Sequence, residues 1–135
     1  AMGYLKIGEL AQRTETSAET LRYYEAEGLL PAPRRSASGY RLYTEPDVGR
    51  VQFVRRAMAM DFSLKEIGEL LSLQVGRKVA TCGEVKSLAE HKLAAIDQKI
   101  AELKKMKTAL KQITEACAGG QASAVHCTIL NALEA

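Results

Sequence analysis

At 135 residues, with 47% hydrophobic and 26% charged side chains and a formal net charge of +3, the chain has the composition of a folded domain. This length suits one modest domain, or a small domain with a long extension, and excludes an αβ barrel or a two-domain dehydrogenase. No apolar run approaches the roughly 20 residues that span a bilayer, and Met2-Gly3-Tyr4-Leu5-Lys6 leads into amphipathic sequence rather than a signal peptide. The expected location is the cytoplasm, with no membrane partner, and Ala1 ahead of Met2 reads as a cloning remnant.

Helix starts are marked by Ser/Thr-x-x-Glu/Asp capping boxes, which satisfy otherwise unpaired amides at a helix start. They are Thr16 with Glu19, Thr44 with Asp47, Ser63 with Glu66 and Thr81 with Glu84. The first helix is predicted over Ile7 to Arg13, with Ile7, Leu10 and Ala11 on one face. After the turn Thr14-Glu15-Thr16, a second helix runs from about Ser17 to Glu27, and Gly28 ends it. Two helices joined by a three-residue turn fit a helix-turn-helix, and equally a generic helical hairpin. Pro31 and Pro33 then bar a helix, Ser38-Gly39 supplies a turn, and Tyr40-Arg41-Leu42-Tyr43 alternates like a strand. This stretch is expected to be a small β-hairpin, or wing. Helices over about Glu45 to Met60 and Leu64 to Leu73 follow, the first with a core face of Val48, Val51, Phe53, Val54 and Ala57.

From Thr81 to Ala118 the pattern becomes a long amphipathic helix. Leu93, Ile96, Ile100, Leu103, Met106, Leu110, Ile113 and Cys117 recur at alternating spacings of three and four, with one 3-3 stammer, between lysines and glutamates. A helix of this extent is about 55 Å long at ~1.5 Å per residue. Such a stripe is too long to be buried on a domain of this size, so a homodimer through this helix is expected. Gly119-Gly120 ends the helix, Gln121 to His126 forms a loop, and Cys127 to Leu133 adds a final amphipathic turn or two.

Charge location is more informative than net charge. Residues 1–73 balance ten basic against ten acidic side chains, yet residues 31–58 hold six arginines against Glu45 and Asp47. Arg34, Arg35 and Arg41 fall on the wing beside Tyr40 and Tyr43, and the second helix carries Thr20, Arg22, Tyr23 and Tyr24. Arginines interleaved with tyrosines suit phosphate contacts, and a helix offers side chains to base edges. The bland alternative is a solvated charged surface.

Ile7-Gly8-Glu9-Leu10-Ala11, Thr20-Leu21-Arg22-Tyr23-Tyr24-Glu25, Gly28-Leu29-Leu30 and Gly39-Tyr40-Arg41-Leu42-Tyr43 resemble the winged helix-turn-helix of MerR-family regulators. Phe62-Ser63-Leu64-Lys65-Glu66-Ile67 resembles the start of that family's fourth helix, and the likeness covers essentially the whole chain. The resemblance implies a mainly α fold: a DNA-binding domain over 2–73, a linker and antiparallel coiled-coil dimerisation helix over 74–118, and a metal-binding loop with a short helix over 117–135. It implies a homodimer on double-stranded promoter DNA with a palindrome and an overlong spacer. Untwisting and bending that DNA lets RNA polymerase engage both promoter elements. By resemblance, Thr20, Arg22 and Tyr23 lie on the recognition helix, and Tyr40 and Arg41 join Arg35 on the wing.

Three cysteines, an odd number in a chain expected in a reducing compartment, point away from a disulfide framework. Cys82 follows the cap Thr81, and a helix start favours a thiolate. Cys117 is about 52 Å further along a straight helix at ~1.5 Å per residue, so the two do not ligate one ion within one chain. In an antiparallel dimer, Cys82 of one protomer meets Cys117 of its partner, and Cys127 folds back as a third thiolate. The family's metal sensors use cysteines at these three places.

The resemblance also sorts the metals. Its copper(I) sensors usually carry serine at the position of Cys82, its superoxide sensor carries a four-cysteine cluster, and its drug-binding relatives carry a large C-terminal domain. Its zinc sensors carry a second cysteine where this chain has Ala118, and a loop histidine that residues 119–125 lack. Cys127-Thr128-Ile129-Leu130 resembles the zinc, cadmium and lead group, whereas Ser87-Leu88-Ala89-Glu90-His91-Lys92-Leu93 resembles the mercury regulator. Three thiolates suit soft divalent ions, so Cd(II) or Pb(II) ranks first, Zn(II) second and Hg(II) third. His126 adjoins Cys127 as a possible fourth ligand; His91 reads as structural. No His-Cys-acid grouping lies within one rigid element, so no enzyme is expected. A non-regulatory metal-binding protein accounts for the cysteines but not for the wing.

Overall fold

The computed structural model describes residues 3–135; Ala1, read as a cloning remnant, and Met2 lie outside the described residues. The chain forms two compact units, one reaching to Ala89 and the other spanning Glu90–Ala135. It is mainly helical, with a two-stranded wing and one long helix.

In the first unit, α1 (Ile7–Arg13) and α2 (Ala18–Ala26) form the helix-turn-helix. Glu15 takes the left-handed conformation at φ 54°, and the Thr16 N–H reaches back to the Ala11 carbonyl at 2.9 Å. Thr14 is buried in the turn; its hydroxyl donates to the Leu10 carbonyl at 2.7 Å and lies 2.8 Å from the Thr16 hydroxyl. This corrects one expectation. With its hydroxyl drawn to Thr14, Thr16 does not cap α2; Ser17 does, its Oγ accepting from the Thr20 N–H at 3.1 Å. Such a cap contributes about 1 kcal/mol. Gly28, at φ +77°, ends the helix as expected.

The wing pairs β1 (Arg34–Arg35) with β2 (Arg41–Leu42) antiparallel, Arg34 facing Leu42 and Arg35 facing Arg41. Gly39, at φ +86°, makes the turn between them. A third segment was not foreseen: Leu5 bridges Tyr43 through hydrogen bonds of 2.7 and 2.8 Å. Only three residues alternate there, too few for a strand to be read.

Helices α3 (Glu45–Ala59) and α4 (Leu64–Val75) start at the expected boxes of Thr44 with Asp47 and Ser63 with Glu66. Helix α4 runs two residues past the expected Leu73 before Gly76 caps it. Leu10, Leu21, Leu30, Val51, Val54 and Ile67 are fully buried and tie α1, α2, α3 and α4 into one core. Phe53, expected on the core face of α3, packs only at its edge. Tyr24 and Tyr43, placed beside the arginines by sequence, are core residues, 5% and 0% exposed. Tyr24 follows Leu21 by three positions and so shares its inward face; Tyr43 is turned in by its bridge to Leu5.

Helix α5 (Cys82–Glu115) starts at the box of Thr81 with Glu84, with reciprocal hydrogen bonds of 3.1 Å each. It ends before the expected Ala118. The Cys117 N–H bonds the Thr114 carbonyl, a tightened last turn, so Cys117 lies beyond the helix rather than at the end of its apolar stripe. Gly119 and Gly120 follow at φ +73° and +94°, then a 3-10 turn over Ala124–His126 and α6 (Thr128–Glu134). Within a single chain no residue of α5 is buried, and Leu93, Ile100, Leu103, Met106 and Leu110 are exposed.

Candidate functional site

Two groups of side chains carry chemistry. The first belongs to α2 and the wing. Arg22 and Tyr23 project from α2 into solvent, and Tyr23 meets the buried Tyr24 ring at 6.3 Å between centroids. Thr20 is half-buried, and its hydroxyl lies 2.9 Å from Ser17 Oγ, so it shares in the cap of the helix. Tyr40 is exposed at the wing tip with the Lys6 ammonium 5.2 Å from its ring centre, a cation–π contact. Arg35 is exposed and donates to the Gly39 carbonyl at 3.0 Å, and Arg34 donates to the Tyr4 hydroxyl at 3.0 Å. Tyr4 and Lys6 were not singled out by sequence, because nothing in a three-residue alternation says which wing side chains it will meet.

Arg41 differs from the other wing arginines. It is half-buried and turned toward α2, its Nε 3.4 Å from Glu25 Oε2. The Tyr43 hydroxyl donates to the same carboxylate oxygen at 3.3 Å. Burial first, and then the neighbouring Glu25 carboxylate, push the Tyr43 phenol up to about 12, so it remains a donor near neutral pH.

The second group is the cysteines. Cys82 is the first residue of α5, exposed, on the rim of an apolar cavity of about 540 Å³ lined by Phe53, Leu70, Leu73 and Val85. Cys117 and Cys127 are half-buried, and the Cys117 side chain lies within hydrogen-bonding reach of the Cys127 thiol. Cys127 caps α6. The amides of Leu130 and Ile129 at that helix start hold its thiol below the usual thiol range, and Cys117 acts in the same direction. A helix start that favours a thiolate is therefore built at Cys127, where only the observed start of α6 reveals it. His126 and His91 are both exposed. Among the described residues, no three His, Cys, Asp or Glu side chains of one chain gather as a metal site.

Residues 5–74 match the profile of the MerR HTH family regulatory proteins, and residues 48–113 match that described as MerR, DNA binding. The chain belongs to the MerR family of helix-turn-helix regulators. This MerR-family chain is 41% identical over 129 residues to the HTH-type transcriptional regulator ZntR of Escherichia coli, covering 96% of this chain and 92% of that one. It is 41% identical over 130 residues to the mercuric resistance operon regulatory protein of Serratia marcescens, covering 96% and 88%. It also superposes on the transcription regulator PbrR691 from Ralstonia metallidurans in complex with lead(II), with a TM-score of 0.80 and 39% identity, covering 96% and 98%. These similar proteins are regulators of transcription rather than enzymes. In this MerR-family chain no described helix is long and apolar enough to cross a membrane.

Proposed function

We propose that the chain is a cytoplasmic, metal-responsive activator that binds palindromic promoter DNA as a homodimer and switches on metal-resistance or efflux genes. Residues 2–73 bind DNA, 74–118 form the dimer, and 117–135 form the metal loop. Thr20, Arg22 and Tyr23 of α2 and Arg35 and Tyr40 of the wing face the duplex, with Arg41 behind them. A bound ion favours the distorted DNA that RNA polymerase requires.

The observation that carries the metal half is the approach of Cys117 to Cys127 within one chain, while Cys82, at the start of α5, belongs to the other compact unit. Two thiols already together, one of them biased toward thiolate, need only a third donor to suit a soft divalent ion. Cys82 of the partner supplies it in an antiparallel dimer. The exposed stripe of α5 supports that dimer, since a helix of this length with no buried face needs a partner. The lead(II) complex of the similar PbrR691 supports Pb(II), ranked first together with Cd(II), ahead of Zn(II) and then Hg(II). The mercuric regulator among the relatives supports the second reading, an Hg(II)-responsive member.

Two measurements test this reading. Titration with Pb(II), Cd(II), Zn(II) and Hg(II), followed by thiolate-to-metal absorption against a competing chelator, is expected to give tightest binding for Pb(II) or Cd(II). Tightest binding of Hg(II) selects the second reading, and absence of thiolate binding removes metal sensing altogether. On the DNA side, Arg22→Ala is expected to weaken binding to a duplex enriched from a random pool and to lower the salt slope by about 2 per dimer, at ~0.9 per phosphate. An unchanged gel shift at matched salt takes Arg22 out of the interface.

A further inference from the structure

We propose that Glu25 is a positioning residue for DNA recognition, holding Arg41 and Tyr43 of the wing against α2 so that the pair contributes discrimination between sequences rather than attraction to phosphate. The inference rests on the DNA-binding reading above and adds a role for a residue on the inner side of the recognition helix.

An acidic side chain between two DNA-facing elements is costly beside a polyanion unless its charge is cancelled. Glu25 is 18% exposed and Arg41 28%, with Nε and Oε2 3.4 Å apart, so each cancels most of the other's charge in a partly desolvated site. The buried Arg41 Nε has no hydrogen-bond partner among the described residues, so the contact is electrostatic rather than a fitted fork. The fitted contact comes from the other side, where the Tyr43 hydroxyl donates to the same oxygen. Tyr43 is itself fixed by its fully buried ring and by the bridge to Leu5. One carboxylate on α2 therefore grips two residues of the wing segment, 41 and 43, at the place where the wing returns to the core.

Two consequences follow. The spacing between the base-reading face of α2 and the wing is set by a short, partly buried contact, so only duplexes whose groove and backbone match that spacing engage both elements at once. In addition, the Arg41 charge is already neutralised, so it releases no counterions on binding. Arg34 and Arg35 instead engage uncharged groups, the Tyr4 hydroxyl and the Gly39 carbonyl, which leave their charge free to act on phosphate.

The test uses the full-length protein with two probes, a duplex that it enriches from a random pool and a scrambled duplex of the same composition. Affinity is measured against salt concentration for wild type, Arg41→Ala, Glu25→Gln and the double variant. Arg41→Ala is expected to weaken the enriched duplex about tenfold and, by uncovering the Glu25 carboxylate, to lower its salt slope without loss of a phosphate contact. Glu25→Gln keeps the acceptor for Tyr43 but frees the Arg41 charge. It is expected to steepen the slope by about 2 per dimer, at ~0.9 per phosphate neutralised, and to cut the enriched-to-scrambled affinity ratio about tenfold. The double variant should return to the wild-type slope.

A slope lowered by about 2 in the double variant makes Arg41 a phosphate contact and overturns the proposal, as does an unchanged ratio in Glu25→Gln. Thermal unfolding by circular dichroism checks that each variant folds. Should Glu25→Gln fail to fold, the charge-swapped pair Glu25→Arg with Arg41→Glu replaces it: recovery of the ratio relative to each single swap supports positioning, and no recovery refutes it. If the wild-type protein shows no salt-dependent binding to either duplex, the DNA-binding reading itself fails, an outcome separate from any difference among variants.

Discussion

Mixed dimers of Cys82→Ser and Cys117→Ser protomers are expected to bind one soft metal ion per dimer with near-native affinity, although each parental homodimer binds poorly. Each site of the proposed dimer takes Cys82 from one chain and Cys117 with Cys127 from the other. In the mixed dimer, one site receives both substituted residues while the other keeps three native thiolates. Replacing one thiolate by a hydroxyl should weaken Pb(II) or Cd(II) by more than the roughly 10–100-fold that loss of an outer-shell partner costs. Titration followed by thiolate-to-metal absorption on purified heterodimers reads the result directly. Were all three ligands to come from one chain, both sites of the mixed dimer would be damaged, and no tight site would return. DNA binding by each parental protein should persist, because Cys82 and Cys117 lie outside α2 and the wing.

The second large effect concerns assembly. Ile100 and Leu103 are 45% and 61% exposed in a single chain and lie on the apolar stripe of α5. Replacing both with aspartate puts four carboxylates into the proposed seam of a dimer, where desolvation and mutual repulsion oppose association. The expected outcome is a monomer by sedimentation, with loss of much of the helical signal of α5, because a long helix without a buried face has little tertiary support. Binding to a palindromic duplex should fall sharply, since the two half-sites are no longer engaged together. A folded dimer that survives the substitution places the seam on another face.

The pattern of these residues explains how far sequence reading reaches. Capping boxes at Thr44, Ser63 and Thr81 were legible because they are local, each completed within four residues. The apolar spacing of α5 was legible for the same reason: a repeating interval needs no knowledge of what packs against it. The family was legible because motifs such as Leu21-Arg22-Tyr23-Tyr24 and Gly39-Tyr40-Arg41 stand in a fixed order along the chain.

Where distant segments compete for one side chain, tertiary structure decided. Burial also settled one local competition: Thr14, turned into the core only two residues from Thr16, claims that hydroxyl and leaves the cap of α2 to Ser17. Tyr43 and Arg41 looked like surface wing residues, but Leu5 turns the first inward and Glu25 takes the second. Cys117 looked like the last residue of a helical stripe, yet the helix stops at Glu115 and the thiol lies beside Cys127. Sequence by itself determined which residues form helices and which chemistry the chain carries, because propensity, capping and periodicity act over a few neighbouring residues. Only the tertiary structure decided which arginine is neutralised, which tyrosines are core and which two thiols meet. Those outcomes depend on contacts such as Arg41 with Glu25, 16 positions apart, whose partners no local pattern names.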